Sequence, residues 1–426
     1  MGSEQLITAV VANEQGEIFD LEGYAAVGMA GESLFPLTDA GTMELPFGSE
    51  LMRLPDRVPI LYDMENGRFE MLDKNPFQPD EDLFPVAAFN SPGHVVSSVC
   101  AYREKGHAKI LPLFSYGAVG WHDAGFRSAA ILVDAEPRQD LRFMKQADIL
   151  QGIDRMRNQL PGNRLRQHLE TCALEYSCPA GKNFFLGRFE APLPTAKACN
   201  AACLGCLSLQ TGRDLPCSQV RIGFTPDPEE IAGVALEHIN RVERSVVSFG
   251  QGCEGDPLLA AAVIEPAIRL IRARTDQGTI NMNTNGGLPA VLKNLLDAGL
   301  DSIRISMNSV REEAYQAYFN PRGYVFADVL KSIDLALSKG RHVAINYLNM
   351  PGFTDTKGEL ESLVAFIEDH PIHMIQWRNL NFDPIRYWQA MGQDGREAPV
   401  KGMQTVIDTI REQFPGVRHG YFNPPK

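Results

Sequence analysis

Three cysteines, Cys199, Cys203 and Cys206, lie close together in the spacing C-x3-C-x2-C. Three thiolates this near one another can ligate three irons of a cubane cluster and leave the fourth iron without a protein ligand. An iron with open coordination can bind a small chelating molecule, and thiolate ligands favour Fe–S clusters or zinc over hard cations. The triad therefore predicts a soft-metal centre.

Zinc is the alternative occupant of the triad. Structural zinc takes four ligands, usually from paired C-x2-C units, and this loop supplies only three. The fourth would have to come from Cys178, Cys217 or Cys253. A zinc centre would also leave the surrounding pattern of strands and helices unexplained.

Strands and helices alternate from about residue 184 onward. Apolar and β-branched runs at 245–249, 279–284, 301–307, 342–348 and 373–380 are separated by segments of helical periodicity. This alternation predicts a parallel sheet with crossover connections. About six units are present, so we predict an α/β fold with a partial (β/α)6-type barrel. Function in that class sits at the carboxyl ends of the strands.

Two of these strands carry polar residues on one face only. Alternation places each polar set on one face, and the apolar face must pack against helices. The polar sets are Asn281, Asn283 and Asn285 on one strand and Arg304, Ser306 and Asn308 on the next. We expect them to point into the barrel and to hold a polar ligand. For Asn281, a hydrogen-bond ladder that stiffens the barrel is an equal alternative.

The triad and the strand ends together resemble the radical S-adenosylmethionine (SAM) superfamily, over roughly residues 184 to 390. Residues 250–257, after the second strand, look like the family's Gly-Gly-Glu-Pro element. Gly255 and Asp256 match it best, with Glu254 beside them. Ser306 and Asn308 stand where the family contacts the SAM ribose or carboxylate. For Glu254 and Asp256, a solvated turn or a helix N-cap is the alternative.

The resemblance implies that Cys199, Cys203 and Cys206 hold a [4Fe–4S] cluster whose open iron chelates SAM. It further implies that Glu254, Gly255 and Asp256 line the cofactor site with Asn285, Ser306 and Asn308. The polar strand faces add Asn283 and Arg304 to the residues expected there. Reductive cleavage would give a 5′-deoxyadenosyl radical that abstracts hydrogen from an unidentified substrate. The electron would come from a donor such as ferredoxin or flavodoxin. A non-catalytic Fe–S electron carrier or scaffold is the alternative function.

Two further residues are candidates for a catalytic role. Cys253, beside the expected SAM site, could face the substrate or donate a hydrogen atom, although packing is the commoner use of such a thiol. Arg378 could bind a substrate carboxylate or phosphate through its two-pronged guanidinium, or form an ion pair at the barrel rim. Cys172, Cys178, Cys217 and Cys253 could hold a second cluster, but free thiols are favoured.

The 426 residues divide into four predicted segments. Residues 1–142 read as a β-rich domain, with a hairpin turn at Glu65-Asn66-Gly67. A helical junction follows at 143–183, then the barrel core at 184–390, and a C-terminal helix and tail at 391–426. The β-rich domain at 1–142 is appended to the barrel core and should have a function of its own. We therefore expect a macromolecular substrate: a peptide, a protein or an RNA.

Composition limits the partners. The formal net charge of −13 disfavours binding to phosphate backbones, so no DNA partner is expected. No apolar run has the length of a membrane span, and residues 1–6 lack the pattern of a secretory signal. We therefore expect a cytoplasmic protein in which clustered thiols stay reduced.

Overall fold

The computed structural model describes residues 5–210, 214–392 and 399–426. Contacts divide the chain into two compact units. The first contains the chain up to Asp134 together with Leu348–Val364 and Trp377–Pro415, and the second contains Ala135–Tyr347, Ala365–Gln376 and Gly416–Lys426. The predicted boundaries near residues 142, 183 and 390 remain predictions of folding domains. Residues 1–4 and 393–398, within the predicted terminal segments, lie outside the described residues.

The first unit is rich in antiparallel strands, which confirms the β-rich N-terminal region. Its strands in chain order are β1 Thr8–Ala12, β2 Ile18–Ala25, β3 Val27–Ala30, β4 Ser33–Pro36, β5 Met43–Glu44, β6 Glu50–Arg53, β7 Arg57–Asp63, β8 Arg68–Met71, β9 Lys74–Asn75, β10 Gln78–Asp82, β11 Phe84–Phe89, β12 His94–Val96, β13 Val99–Cys100, β14 Tyr102–Glu104, β15 Val119–His122, β16 Gly125–Ser128 and β17 Ala130–Leu132. Ten of them form one sheet. The hairpin predicted at Asn66-Gly67 joins β7 to β8, with Asp63 opposite Arg68.

Strand β1 shows why this sheet is covered on both faces. Ala9 and Val11 enter one buried apolar cluster, whereas Val10 and Ala12 enter a different one. Successive side chains of a strand point to opposite faces, so an uninterrupted apolar run needs apolar partners on each side. The run TAVVA is buried from its second residue onward.

Three helices open the second unit, α1 Gln146–Gln159, α2 Arg164–Leu174 and α3 Pro179–Leu186. The segment Pro161-Gly162-Asn163 separates α1 from α2. Asn163 is the N-cap of α2, and its side chain accepts a hydrogen bond from the Arg166 N–H. Left-handed Gly187 ends α3.

A seven-stranded parallel sheet follows, with its strands in sequence order across the sheet. They are β18 Glu190–Pro192, β19 Val246–Phe249, β20 Thr279–Thr284, β21 Ser302–Met307, β22 His342–Asn349, β23 Met374–Asn379 and β24 Arg418–Gly420. The connecting helices are α4 Pro228–Arg241, α5 Ala261–Arg272, α6 Pro289–Ala298, α7 Glu312–Phe319, α8 Phe326–Ser338, α9 Lys357–Asp369, α10 Pro384–Ala390 and α11 Met403–Gln413. The predicted partial β/α barrel is confirmed.

The two ends of the sheet differ from the sequence prediction. The prediction that residues 373–380 form the last strand is wrong, because β24 pairs in parallel with β23 beyond the final helix. Strands β18 and β24 have three residues each. Segments this short carry too few side chains to display a period of two.

Within the described ranges, none of the helices combines the length and the apolar character that crossing a bilayer requires.

Helix α4 contributes a buried histidine that makes the stability of the fold depend on pH. His238 is completely buried, and its Nε2 lies 3.2 Å from the carbonyl oxygen of Phe189, to which it donates. Burial lowers the pKa of His238 to about 4, from an ordinary value of 6.5. The unfolded chain therefore binds the proton first as pH falls, and stability that is present above pH 6.5 is lost towards pH 4.

We predict that His238→Gln removes this pH-dependent contribution to stability, because glutamine keeps an N–H donor but does not titrate. Over the window from about pH 6.5 to pH 4, the wild type should lose about 3 kcal/mol more unfolding free energy than the variant. Urea unfolding at several pH values measures the difference. Parallel pH profiles for the two proteins would contradict the assignment.

Candidate active site

The loop that carries the three cysteines is attached through its backbone to the end of α7. The N–H groups of Ala202 and Leu204 donate to the carbonyl oxygens of Phe319 and Tyr318, at 2.9 and 3.0 Å. Helix α7 ends at left-handed Asn320, so its last carbonyls lack helical partners and can accept these bonds. The middle of the loop is thus held against the end of α7 by two backbone hydrogen bonds.

The thiols themselves are half-buried, as a ligand set for a cofactor should be. Burial, reinforced by the negative charge of Asp256, raises the pKa of Cys199 to about 11. Burial also raises the pKa of Cys203 well above its ordinary value. Without a metal these two thiols keep their protons, and a soft cation would displace them.

Arg221 adds a positive charge beside the third cysteine. Its Nη2 lies 3.5 Å from the Sγ of Cys206, and its Nε donates to Ser208 Oγ at 3.1 Å. A guanidinium next to a thiolate offsets part of the negative charge that three thiolates accumulate. The donor set, three thiols and one adjacent cation, fits an anionic Fe–S cluster.

The turn after β19 lies directly against the chain that leads into the cysteine loop. The N–H of Gly255 donates to the Ala196 carbonyl at 2.6 Å, and the N–H of Asp256 donates to the Ala198 carbonyl at 3.0 Å. A Cβ on residue 255 would stand 1.8 Å from the Ala198 oxygen. Glycine is therefore required there because two backbones meet without room for a side chain.

Glu254 joins the same two segments through its side chain. One carboxylate oxygen accepts from the N–H groups of Thr195 and Ala196, at 2.7 and 2.8 Å. The other accepts from the N–H groups of Gly250 and Gln251, at 2.7 and 2.8 Å. Burial raises the pKa of Glu254 to about 7, against the lowering effect of these four bonds. Its carboxylate is fully used by the backbone, so its predicted contact with SAM stays a prediction.

Asp256 connects the turn to the end of β20. Its carboxylate accepts from Thr284 Oγ1 at 2.8 Å and from the Asn285 N–H at 2.7 Å. It also accepts from the Leu258 N–H at 3.0 Å and caps the short 3-10 helix Pro257–Ala260. The capping role that the sequence allowed is present, and burial raises the pKa of this carboxyl.

Asn285 links β20 to the cysteine loop itself. Its Nδ2 donates to Asn200 Oδ1 at 2.7 Å, and its Oδ1 accepts from the Gly287 N–H at 2.9 Å. Behind it, the hydroxyls of Tyr315 and Tyr324 lie 3.1 Å apart, both well buried. Burial raises the pKa of both phenols, so they stay protonated and can donate.

A continuous polar network runs through the interior of the parallel sheet. Arg304 Nη1 donates to Gln376 Oε1 at 2.7 Å, and Gln376 Nε2 donates to Asn423 Oδ1 at 3.0 Å. Asn423 Nδ2 reaches Ser248 Oγ at 3.2 Å, and so does Asn281 Nδ2. Polar side chains of β19, β20, β21 and β23 are thus joined through hydrogen bonds, and Asn281 belongs to a hydrogen-bond ladder.

The remaining predicted residues occupy varied positions. Asn283 Nδ2 donates to the Gly250 carbonyl at 3.0 Å. Asn308 is fully buried and donates to the Ala314 carbonyl at 3.1 Å. Ser306 is half-buried on β21, and Arg378 is half-buried on β23. Cofactor contacts for Ser306 and Asn308 and substrate binding by Arg378 stay predictions.

Cys253 does not stand alone in the turn. It is 5 % exposed, and its Sγ lies within 4.8 Å of the Sγ of Cys172. Its predicted catalytic role stays a prediction.

Sequence reasoning did not find Arg221, Asn200 or Asn423. Asn200 could have been noticed, because it lies inside the triad's spacing and asparagine is a natural side chain for holding a loop. Arg221 and Asn423 are distant in sequence from their partners. No local pattern connects either residue to the site.

We predict that Gly255→Ala disrupts cluster loading, because the added methyl group would collide with the Ala198 carbonyl and force the two backbones apart. We expect the substitution to destabilise the folded protein by about 1–3 kcal/mol, with the cysteine loop as the segment that is displaced. Iron and acid-labile sulfide per chain after anaerobic reconstitution should drop severalfold. Gly223→Ala, which has open space around the added methyl group, is the matched control. Full loading of Gly255→Ala would show that this close approach does not matter.

Comparison with known proteins agrees with this geometry. Residues 193–367 match the family model of the radical SAM superfamily. The chain is 30% identical to GTP 3′,8-cyclase of Corynebacterium glutamicum over 190 residues, which cover 41% of this chain and 47% of the relative. It is 27% identical to the probable dual-specificity RNA methyltransferase RlmN 1 of Opitutus terrae, covering 43% and 55%.

Other matches extend over similar parts of the chain. Molybdenum cofactor biosynthesis protein 1 of Mus musculus is 28% identical over 38% of this chain and 24% of its own length. The solved structure of native anSMEcpe with bound AdoMet aligns with 55% of this chain and 63% of that chain, at 15% identity and a TM-score of 0.39. The chain thus spans 24% to 55% of the length of the curated relatives named here.

The matched segment contains the cysteine triad, the turn at Glu254–Asp256 and strands β19 to β22. A zinc centre at the triad is therefore not the interpretation that the comparisons support. Residues 193–367 therefore match a radical SAM domain, and proteins of that superfamily bind a [4Fe–4S] cluster and S-adenosylmethionine.

Proposed function

We propose that Cys199, Cys203 and Cys206 hold the [4Fe–4S] cluster, and that the enzyme abstracts hydrogen from a macromolecular substrate. The cluster, when bound, supplies the electron that cleaves SAM to methionine and a 5′-deoxyadenosyl radical. The observation that carries the proposal is the attachment of the triad's loop to the ends of the neighbouring strands β19 and β20 of a radical SAM domain. Glu254, Asp256 and Asn285 make those attachments.

The residues of this chain have separable tasks in the proposal. Arg221 offsets charge beside Cys206. The turn at Gly255 and Asp256, with Asn283, Asn285, Ser306 and Asn308, forms the SAM site, and most of these side chains are already fixed by hydrogen bonds. Fixed polar groups need no reorganisation when a ligand arrives. Arg304 and its network line the interior next to this site.

A polypeptide is the substrate class that the charge distribution favours among peptide, protein and RNA. The net charge of −13 opposes binding to a polyphosphate backbone. In the first unit, a cavity of about 360 Å³ is lined by Glu14, Asp80, Glu81 and Asp82. Acidic walls repel nucleic acid and attract basic side chains.

The cluster needs a reductant, and we propose a small electron carrier such as ferredoxin or flavodoxin. We also propose that the enzyme works in the cytoplasm. None of the eight cysteines, all within the described residues, is in a disulfide, and a reducing compartment keeps cysteines in that state. An electron carrier or scaffold, the alternative function, would have no use for a polar interior beside its cluster.

Hydrogen abstraction transfers one hydrogen atom from the substrate to the 5′-deoxyadenosyl radical and gives 5′-deoxyadenosine, so a deuterated substrate labels this product. An extract of cells grown in heavy water is separated into protein, RNA and small-molecule fractions. Each fraction is incubated anaerobically with the reconstituted enzyme, dithionite and unlabelled SAM. Mass spectrometry of the 5′-deoxyadenosine should find deuterium with the protein fraction.

The other outcomes are equally decisive. Labelling by the RNA fraction alone or by the small-molecule fraction alone contradicts a polypeptide substrate. Formation of 5′-deoxyadenosine without label from any fraction contradicts hydrogen abstraction from a cellular substrate. Boiled enzyme controls for label that exchanges without catalysis.

A further inference from the structure

A second group of metal-ligating side chains lies apart from the cysteine loop, where α2 meets the turn after β19. A ring nitrogen of His168 and the Sγ atoms of Cys172 and Cys253 all lie within 4.8 Å of one another. The Nε2 of His168 is 3.5 Å from the Sγ of Cys172. Both cysteines are buried, at 2 % and 5 % exposure, and the histidine is half-buried.

Helix geometry and backbone hydrogen bonds fix the positions of the residues around this group. His168 and Cys172 are four residues apart on α2, so their side chains lie on one face. Cys178 is the N-cap of α3, and its N–H donates to the Cys172 carbonyl at 2.9 Å. The carbonyl of Cys253 accepts from the Ile222 N–H at 2.8 Å.

A small cavity connects these thiols. Its volume is about 20 Å³, and Cys172, Cys178 and Cys253 all contribute to its wall. A water molecule needs roughly 10–15 Å³ of such space, so there is room for one ion and not for a four-iron cubane. The size of the space therefore separates a single metal ion from a second cluster.

The distance between His168 and Cys172 is compatible with a tetrahedral metal site. Zinc bonds of about 2.3 Å to sulfur and 2.0–2.1 Å to nitrogen place a sulfur and a nitrogen ligand about 3.5 Å apart, and two sulfurs about 3.8 Å apart. The distance from His168 to Cys172 already equals the first value. Cys178 lies outside the group of three and adjoins it through the wall of the cavity that Cys172 and Cys253 also line.

We propose that His168, Cys172 and Cys253, with Cys178 as the fourth ligand, bind one Zn²⁺ ion. Three thiolates and an imidazole are a ligand set that zinc prefers, and four protein ligands make a closed, structural site. The ion would tie α2 and α3 to the turn that carries Glu254 and Gly255. It would thereby stiffen the backbone beside the cysteine loop.

The test uses the full chain with Cys199, Cys203 and Cys206 all changed to alanine, so that the first site cannot take zinc. The reduced protein is titrated anaerobically with Zn²⁺ in competition with a chromophoric chelator. We expect one ion bound per chain. Adding His168→Ala should weaken binding by at least about 100-fold, since changes behind a zinc ligand already weaken it 10- to 100-fold.

Cys217→Ala is the matched control, because that thiol is exposed and lies outside the group. It should leave the zinc affinity of the triple variant unchanged. Circular dichroism establishes that each variant is folded. Cys253→Ala, from a different element, should repeat the loss seen with His168→Ala.

Cobalt substitution tests the coordination of the site by absorption spectroscopy, without changing any of the proposed ligands. Co²⁺ bound to the triple variant should give intense tetrahedral d–d bands and thiolate charge-transfer absorption. Absence of these bands, or zinc affinity indifferent to both His168→Ala and Cys253→Ala, overturns the proposal. So does a four-iron cluster that forms in the triple variant upon reconstitution.

Discussion

The proposed site depends on the carboxylate of Glu254. Four backbone N–H groups from two separate segments point at it, two from residues 195–196 and two from residues 250–251. Each buried N–H left without a partner would cost about 1–3 kcal/mol. One side chain therefore holds the entry of the cysteine loop against the end of β19, and Gly255 allows the backbones to touch.

Further hydrogen bonds connect this junction to the ends of the neighbouring strands. Asp256 secures Thr284 and Asn285 at the end of β20, and Asn285 returns to Asn200 inside the loop. The interior network from Arg304 to Asn423 then ties together residues of β19, β20, β21 and β23. Buried polar groups are tolerated because they satisfy one another, and the result is a rigid polar surface.

Much of this could be predicted from the sequence because the signals were local. The spacing of Cys199, Cys203 and Cys206 identified the chemistry, and the alternating asparagines of β20 located an interior polar face. The Asn66-Gly67 turn marked its hairpin. Long-range features carried no such signal, since β24 is three residues long and Arg221 meets Cys206 only after folding.

Contacts between residues distant in sequence also explain why the sequence alone did not predict the arrangement around Glu254 and the buried thiols. Spacing alone made Glu254 a candidate ligand of the cofactor, whereas the structure occupies both of its oxygens with backbone donors. Spacing also left Cys172 and Cys253 as separate core residues, because 80 residues of chain come between them. Only the packing of α2 against the turn after β19 brings their sulfurs together with His168.

The most direct measurement is the formation of 5′-deoxyadenosine by the anaerobically reconstituted enzyme with dithionite and SAM, compared between wild type and Cys203→Ala. The account predicts product and a [4Fe–4S] spectrum in the wild type and in Cys217→Ala, and loss of both together in Cys203→Ala. A full [4Fe–4S] spectrum in Cys203→Ala, or a wild-type cluster that neither responds to SAM nor cleaves it, would contradict the account.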